Sequence, residues 1–178
     1  MEPARSGREQ QRYDGETRLV AGCLPVMPDG RIVLIGSVKR TDWILPKGGW
    51  ESDETAAESA VREAYEEAGI KGKVTADLGL HEIVSSRGNK SRAAMFLLLV
   101  TEVLPDWPEK HRKRQLVSLE EAFALCVRPA IVSVLRAYES VMREEELPDP
   151  SPPATPTPPC VETPEKENAS ALVPEGTC

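Results

Sequence analysis

The chain has 178 residues, and its 22 Lys+Arg against 29 Asp+Glu give a net charge of −7. That balance argues against a general nucleic-acid binder, and no specific nucleic-acid partner is expected. No apolar run is long enough to cross a bilayer, residues 1–15 hold no apolar secretory leader, and Cys23, Cys126, Cys160 and Cys178 form no Cys-x-x-Cys pair. These features exclude a membrane partner, a disulfide framework and a zinc site, and set the expected location as cytoplasmic and/or nuclear.

Residues 1–15 are expected as a flexible arm, 16–146 as the folded domain and 147–178 as a disordered tail. Nine of the 16 prolines fall in that tail, which has no apolar run to offset its ordering entropy. Its P-P-A-T-P-T-P-P stretch suits a polyproline reader as a partner. Within the domain, residues 18–26 and 31–35 read as two strands joined by the turn signal M-P-D-G, residues 27–30. Trp43-Ile44-Leu45 is a short apolar run stopped by Pro46, and Lys47-Gly48-Gly49 reads as a loop.

Ser52 and Asp53 are N-cap types for a helix expected to start near Glu54. Ala57, Val61, Ala64 and Ala68 recur at three- and four-residue steps as its apolar stripe, and Gly69 is placed to end it. Strands are expected at 74–84 and 93–103. S-L-E-E from Ser118 is a capping-box pattern opening a helix to about Cys126. A last helix over 129–143 carries the stripe Ile131, Val134, Leu135, Tyr138 and Met142. The mixed order predicts an α/β fold, a mixed sheet packed between helices.

The chemically informative segment is REAYEEAGI, residues 62–70. Glu63, Glu66 and Glu67 are related by three- and four-residue steps, which puts three carboxylates on one helix face. Like charges so spaced destabilise a helix by about 0.2–0.5 kcal/mol per pair. Arg62, one step from Glu63, is expected to point elsewhere, leaving no basic side chain to offset them. A hard divalent cation resolves the clash, since Mg²⁺ takes one or two carboxylates together with water and substrate phosphates. A plain solvated acidic face is the competing account.

The whole segment GGWESDETAAESAVREAYEEAGI, residues 48–70, resembles the Nudix box. Gly48, Glu54, Arg62, Glu63, Glu66, Glu67, Gly69 and Ile70 fall at the box positions, with Ala64 smaller than the usual apolar residue. Beyond the box, RYDG (12–15), WILPKGGWE (43–51), VTEVLPDWPEKHRKR (100–114) and SLEEA (118–122) are similar to the diphosphoinositol polyphosphate and diadenosine polyphosphate phosphohydrolases. The resemblance implies the Nudix α/β/α sandwich and a Mg²⁺-dependent phosphoanhydride hydrolase, with Mn²⁺ as a second metal. It implies Glu63, Glu67 and Glu66 as metal ligands, and Glu66 either as a ligand or as the base that activates water, with Glu63 and Arg62 completing the catalytic group. Arg62 and Glu54 are expected to hold loop and helix together.

The expected substrate is a highly anionic small molecule, an inositol pyrophosphate and/or a diadenosine polyphosphate. Arg18, Lys39, Arg40, Lys47, Gly48, Lys90, Arg92, Arg112 and Arg128 are its candidate contacts. Trp50, beside the glycine loop, is a further candidate, whereas Trp43 and Trp107 are expected to pack. Gln115, Leu116 and Val117 depart from the acidic and aromatic residues usual after RKR. Two other readings stay open: a hydrolase of other nucleoside diphosphate-linked compounds, and a catalytically silent phosphate-binding module.

Overall fold

The computed structural model describes residues 3–5, 7–38, 41–85 and 88–146. The tail expected as disordered lies outside them, as do Lys39 and Arg40. Among the described residues, eight strands and three helices follow in the order β1 (Tyr13–Asp14), β2 (Thr17–Val26), β3 (Ile32–Gly36), β4 (Trp43–Ile44), β5 (Lys47–Gly49), α1 (Ala56–Ala68), β6 (Ile70–Val84), β7 (Lys90–Val103), β8 (Arg114–Val117), α2 (Leu119–Leu125) and α3 (Pro129–Glu146). No described helix is long and apolar enough to cross a membrane.

The sheet is mixed. Its main path runs β4-β3-β2-β7-β6, with β1 and β5 attached to β2 and β8 attached to β3. The one parallel pairing, β2 with β7, lies at its centre, with Cys23 opposite Phe96 and Leu24 opposite Leu97. Parallel pairs are normally covered on both faces, and both strands are correspondingly apolar: Leu24, Ala93 and Leu98 are fully buried. Helices cover the sheet, giving the expected α/β/α sandwich.

Two readings of the sequence change here, and one strand is added to them. Lys47-Gly48-Gly49 is not a loop but β5, made a strand by antiparallel pairing of Lys47 with Gly22 and Gly48 with Ala21. RQLV at 114–117 is also a strand, held by pairing with β3. Helix α1 starts two residues later than expected, because Thr55, not Ser52 or Asp53, is the N-cap. The Thr55 hydroxyl accepts the Glu58 N–H at 3.2 Å while Glu58 accepts the Thr55 N–H at 2.7 Å.

The buried stripe of α1 is Ala60, Ala64 and Ala68, each 0% exposed. Ala57 and Val61 flank it half-buried. A stripe of alanines lets the helix axis approach the sheet closely, so the glutamates beside it are carried below the surface. Gly69 ends the helix at φ 60°, where a Cβ would meet the Trp107 ring at 2.7 Å. The orphan carbonyls of this end are taken by Arg114, whose guanidinium donates to Ala68 O at 2.9 Å and Gly69 O at 3.3 Å while stacking on Trp107. On α3 the expected stripe is buried except for Met142, which is 37% exposed.

The stretch ahead of the domain joins it at several points. Gln11 bridges to Glu51, β1 pairs with the start of β2, and Arg12 donates to the carbonyls of Glu51 and Ser52 at 2.9 and 2.8 Å.

Candidate active site

Helix α1 and strand β5 face each other, and the acidic side chains of the helix fill the space between. Glu63, Glu66 and Glu67 are 7%, 6% and 8% exposed, so the competing account of a solvated acidic face fails. Burying three carboxylates without compensation is prohibitively costly, and the structure supplies a donor to each. Arg62 donates to Glu63 at 2.8 Å. Glu66 accepts the main-chain N–H of Arg5 at 3.1 Å and lies 3.5 Å from Arg62. Glu67 accepts the Lys47 N–H at 2.9 Å and the Arg112 guanidinium at 2.6 Å.

The expectation that Arg62 points away from the acidic face is therefore corrected. Arg62 stands four residues before Glu66, within side-chain reach on a helix, and it is the hub of the site. Its guanidinium forks onto Glu54 at 2.8 and 3.0 Å and donates to Gly49 O at 2.9 Å and Ser59 Oγ at 3.1 Å. Burial opposes its charge, but Glu54 and Glu63 outweigh that and raise its pKa. The expected role of Arg62 and Glu54, joining loop to helix, is what this fork does geometrically.

Gly48 sits directly against the acidic face. A Cβ there would lie 2.1 Å from Oε1 of Glu63. Burial, then the charge of Glu67, push the Glu63 carboxyl up to about 8 against the pull of Arg62. Burial also raises Glu66 and Glu67, opposed by Arg5 and Arg62 for the first and by Lys47 and Arg112 for the second. Among the described residues no three acidic, histidine or cysteine side chains close into a metal cage of their own. The donors present, carboxylate oxygens around a backbone too close for any Cβ, are those a hard cation takes alongside water and phosphate.

Next to Glu67 opens a cavity of about 800 Å³ whose lining includes the cations Lys47, Arg112 and Arg128. Lys47 is lowered by burial of its ammonium, Glu67 opposing. Arg128 pairs with Asp42 at 2.6 Å, and Arg112 with Glu109 at 2.6 Å as well as with Glu67. The inner wall is apolar, with Ile44, Ile83, Met95, Ile131 and Val134. His81 lies in it with both ring nitrogens engaged, by Ser133 Oγ at 3.0 Å and Leu78 O at 2.9 Å.

The structure thus gathers Arg62, Glu63, Glu66, Glu67, Lys47, Gly48, Arg112 and Arg128. Arg18 stands beside β5, its guanidinium on Gln11 at 2.6 Å and near Gly49. Lys90 and Arg92 are not among the residues lining the cavity. They are exposed and paired with Glu82 and Asp14, at 3.4 and 2.8 Å. Trp50 does not open toward the cavity either. Its ring lies under Arg12, and its N–H donates to Glu54 O at 3.0 Å. Sequence reading missed Asp42, Glu109, His81 and Arg5. The first two are acidic partners of basic residues it did select.

Comparison with known proteins agrees with this architecture. The family model for the NUDIX domain matches residues 16–138. Nudix hydrolase 13, mitochondrial, of Arabidopsis thaliana is 39% identical over 168 residues, covering 80% of this chain and 83% of that protein. Human diphosphoinositol polyphosphate phosphohydrolase NUDT4B is 35% identical over 130 residues, covering 68% and 71%. Among solved structures, a NUDIX hydrolase from Nitrosomonas europaea superposes with TM-score 0.62 at 18% identity, covering 70% of this chain and 90% of that one. The binary complex of a C. elegans Ap4A hydrolase gives 0.59 at 20%, covering 71% and 98%.

These comparisons overturn one expectation. Five Arabidopsis relatives are mitochondrial by name, against the cytoplasmic or nuclear location inferred from the sequence. The composition of residues 1–15 bears on secretion alone, since organelle-import segments are amphipathic and arginine-rich rather than apolar. With the box residues Glu63, Glu66 and Glu67 gathered on one buried helix face and the family model spanning the folded domain, the chain belongs to the Nudix family and is a Nudix hydrolase.

Proposed function

We propose that this hydrolase cleaves phosphoanhydride bonds in highly anionic substrates, inositol pyrophosphates and/or diadenosine polyphosphates, with Mg²⁺ or Mn²⁺ as cofactor. The observation that carries this reading is the buried carboxylate face pressed against Gly48, with a cavity lined in part by cations beside it. Glu63, Glu67 and Glu66 would hold the metal. When bound, a divalent ion withdraws charge from phosphate oxygens and makes water a better nucleophile at neutral pH.

The chain's own residues do the rest. Lys47, Arg112 and Arg128 bind the phosphate chain in the cavity, two of them as planar forks suited to phosphate oxygens. Gly48 and Gly49 let the main chain come close to those oxygens. Glu66, next to the cluster and able to accept, takes the proton of the attacking water. Arg62 holds Glu63 and the β5–α1 loop in place through Glu54 and Gly49 O.

The two substrate classes draw on different observations. Likeness to NUDT4B supports inositol pyrophosphates. The apolar wall of the cavity supports a substrate with a flat, uncharged part, as a diadenosine polyphosphate has and an inositol pyrophosphate lacks. An organellar address accompanies the names of the plant relatives.

Turnover of both substrates by purified protein, with and without Mg²⁺, tests the reading, with Glu66→Gln and Glu67→Gln beside the unaltered chain. The expected result is metal-dependent cleavage, to inorganic phosphate from the inositol pyrophosphate and to two mononucleotides from the diadenosine polyphosphate, that both substitutions abolish. Folded variants with unaltered turnover would refute the assignment. Tight binding without any turnover would leave a phosphate-binding module in its place.

A further inference from the structure

We propose that the N-terminal segment is an autoinhibitory strap that keeps Glu66 occupied through the main-chain N–H of Arg5. The inference rests on the reading of Glu66 given above. The N–H of Arg5 donates to Glu66 Oε1 at 3.1 Å, and the other carboxylate oxygen lies 3.5 Å from Arg62. Glu66 must accept at an oxygen in either role assigned to it, from a cation as ligand or from water as base. In both cases the strap takes one of the two acceptor positions of Oε1 and competes with the cation or water for that oxygen.

The rest of its grip is of a reversible kind. The Arg5 guanidinium is 42% exposed and lies 2.5 Å from Glu51 and 3.1 Å from Asp53, carboxylates that are themselves 20% and 46% exposed. Such pairs are screened by salt and hold weakly. Among the described residues, the next contacts begin at Arg8, where Arg8 O accepts the Gln11 N–H, Gln11 bridges to Glu51 and Arg12 grips the 51–52 carbonyls. The contacts of Arg5 can therefore open without disturbing those that hold β1 and the loop ahead of α1.

The test compares the full chain with a protein lacking residues 1–7, with Arg5→Glu, which Glu51 and Asp53 repel, and with Arg5→Pro, which has no N–H to give. Two readouts are taken: kcat/KM with saturating Mg²⁺, and Mn²⁺ affinity by electron paramagnetic resonance without substrate. Loss of the strap should raise one or both by about threefold to tenfold, the factor that one net hydrogen bond is worth. Added NaCl should activate the full chain relative to the truncated one. No rise in either readout for the truncated protein and Arg5→Pro would overturn the strap. Should the truncated protein fail to fold, the two point variants decide. Should no form turn over either polyphosphate, the proposed function fails, while the Mn²⁺ comparison still decides the strap.

Discussion

Glu63 lies over Gly48 with no room for even one carbon between them, since a Cβ on Gly48 would stand 2.1 Å from Glu63 Oε1. The clashing group is the far end of a side chain, so Gly48→Ala can be accommodated by swinging the carboxylate aside. The fold should survive and the site should not. A displacement of about 1 Å in a positioned group costs about a hundredfold in turnover. We expect Gly48→Ala to lose about that much kcat/KM with a melting temperature close to that of the unaltered chain, measured by steady-state kinetics and thermal melting. Unchanged kinetics would separate Gly48 from the chemistry.

Arg62 makes the opposite kind of contact. Its side chain is 14% exposed and serves Glu54 and Glu63, whose side chains are 7% and 9% exposed. Removing one partner of a buried ionic cluster leaves uncompensated charge, at a cost of about 3–5 kcal/mol. Arg62→Ala should therefore be destabilised by that order in urea unfolding. Arg62→Lys should recover only part of it, because one ammonium cannot reproduce the fork onto Glu54 while reaching Gly49 O. Full stability in the lysine variant would mean that charge alone, not the planar fork, holds the loop.

These two positions show what was legible beforehand. The spacing of Glu63, Glu66 and Glu67 is local, and a helix of that period carries all three to one face wherever it lies in the fold. Thr55 and Glu58 also form a local signal, a Thr-x-x-Glu box, which the nearer cap types Ser52 and Asp53 obscured. The reach from Arg62 to Glu66 was legible too, as a four-residue step. By contrast, nothing local makes Lys47-Gly48-Gly49 a strand. Its glycines disfavour one, and β5 exists because Val20, Ala21 and Gly22 offer it a partner.

Partners that arrive from far along the chain were equally invisible. Asp42 meets Arg128 across 86 residues, and Arg5 meets Glu66 across 61. Basic residues could be selected by type and by their match to the resembling enzymes; type does not separate Lys90 from Arg112, nor does the match separate Arg92 from it. Only the topology separates the cavity lining from strand positions where a lysine and an arginine face Glu82 and Asp14.

The raised Glu63 gives a pH signature. Its folded value of about 8 lies above the unfolded value of 4.5, chiefly because of burial and then Glu67. Between these values the folded state holds more protons than the unfolded state, so stability falls as pH rises. In EDTA, the melting temperature should decline from pH 5 to pH 8.5, roughly the window these two values bound. Glu63→Gln, which has no proton to lose, should flatten that decline. Added Mg²⁺ should flatten it as well, by favouring the charged carboxylate and binding only the folded form. A melting temperature that rises steadily with pH in EDTA would contradict the assigned burial.

The cavity beside Glu67 separates the two substrate classes through its two kinds of wall. Arg128 is a cationic lining residue, and Ile83 is an apolar one that packs against the core yet is only half-buried, so trimming it costs the fold less than trimming a fully buried side chain. Arg128→Ala removes a phosphate fork and should lower kcat/KM for an inositol pyrophosphate and for diadenosine hexaphosphate alike, by about tenfold or more, since charge-assisted hydrogen bonds are worth about 1.5–3 kcal/mol. Ile83→Ala removes apolar contact worth up to about 2 kcal/mol at about 0.8 kcal/mol per buried CH₂. Only a ligand with an apolar face feels that loss. We expect Ile83→Ala to weaken diadenosine hexaphosphate by up to about thirtyfold in KM, and to leave the inositol pyrophosphate within about twofold, the spread expected of an exposed contact. Equal losses on both substrates would show that the apolar wall shapes the cavity without reading the ligand, and the case for a base-bearing substrate would then fall with it.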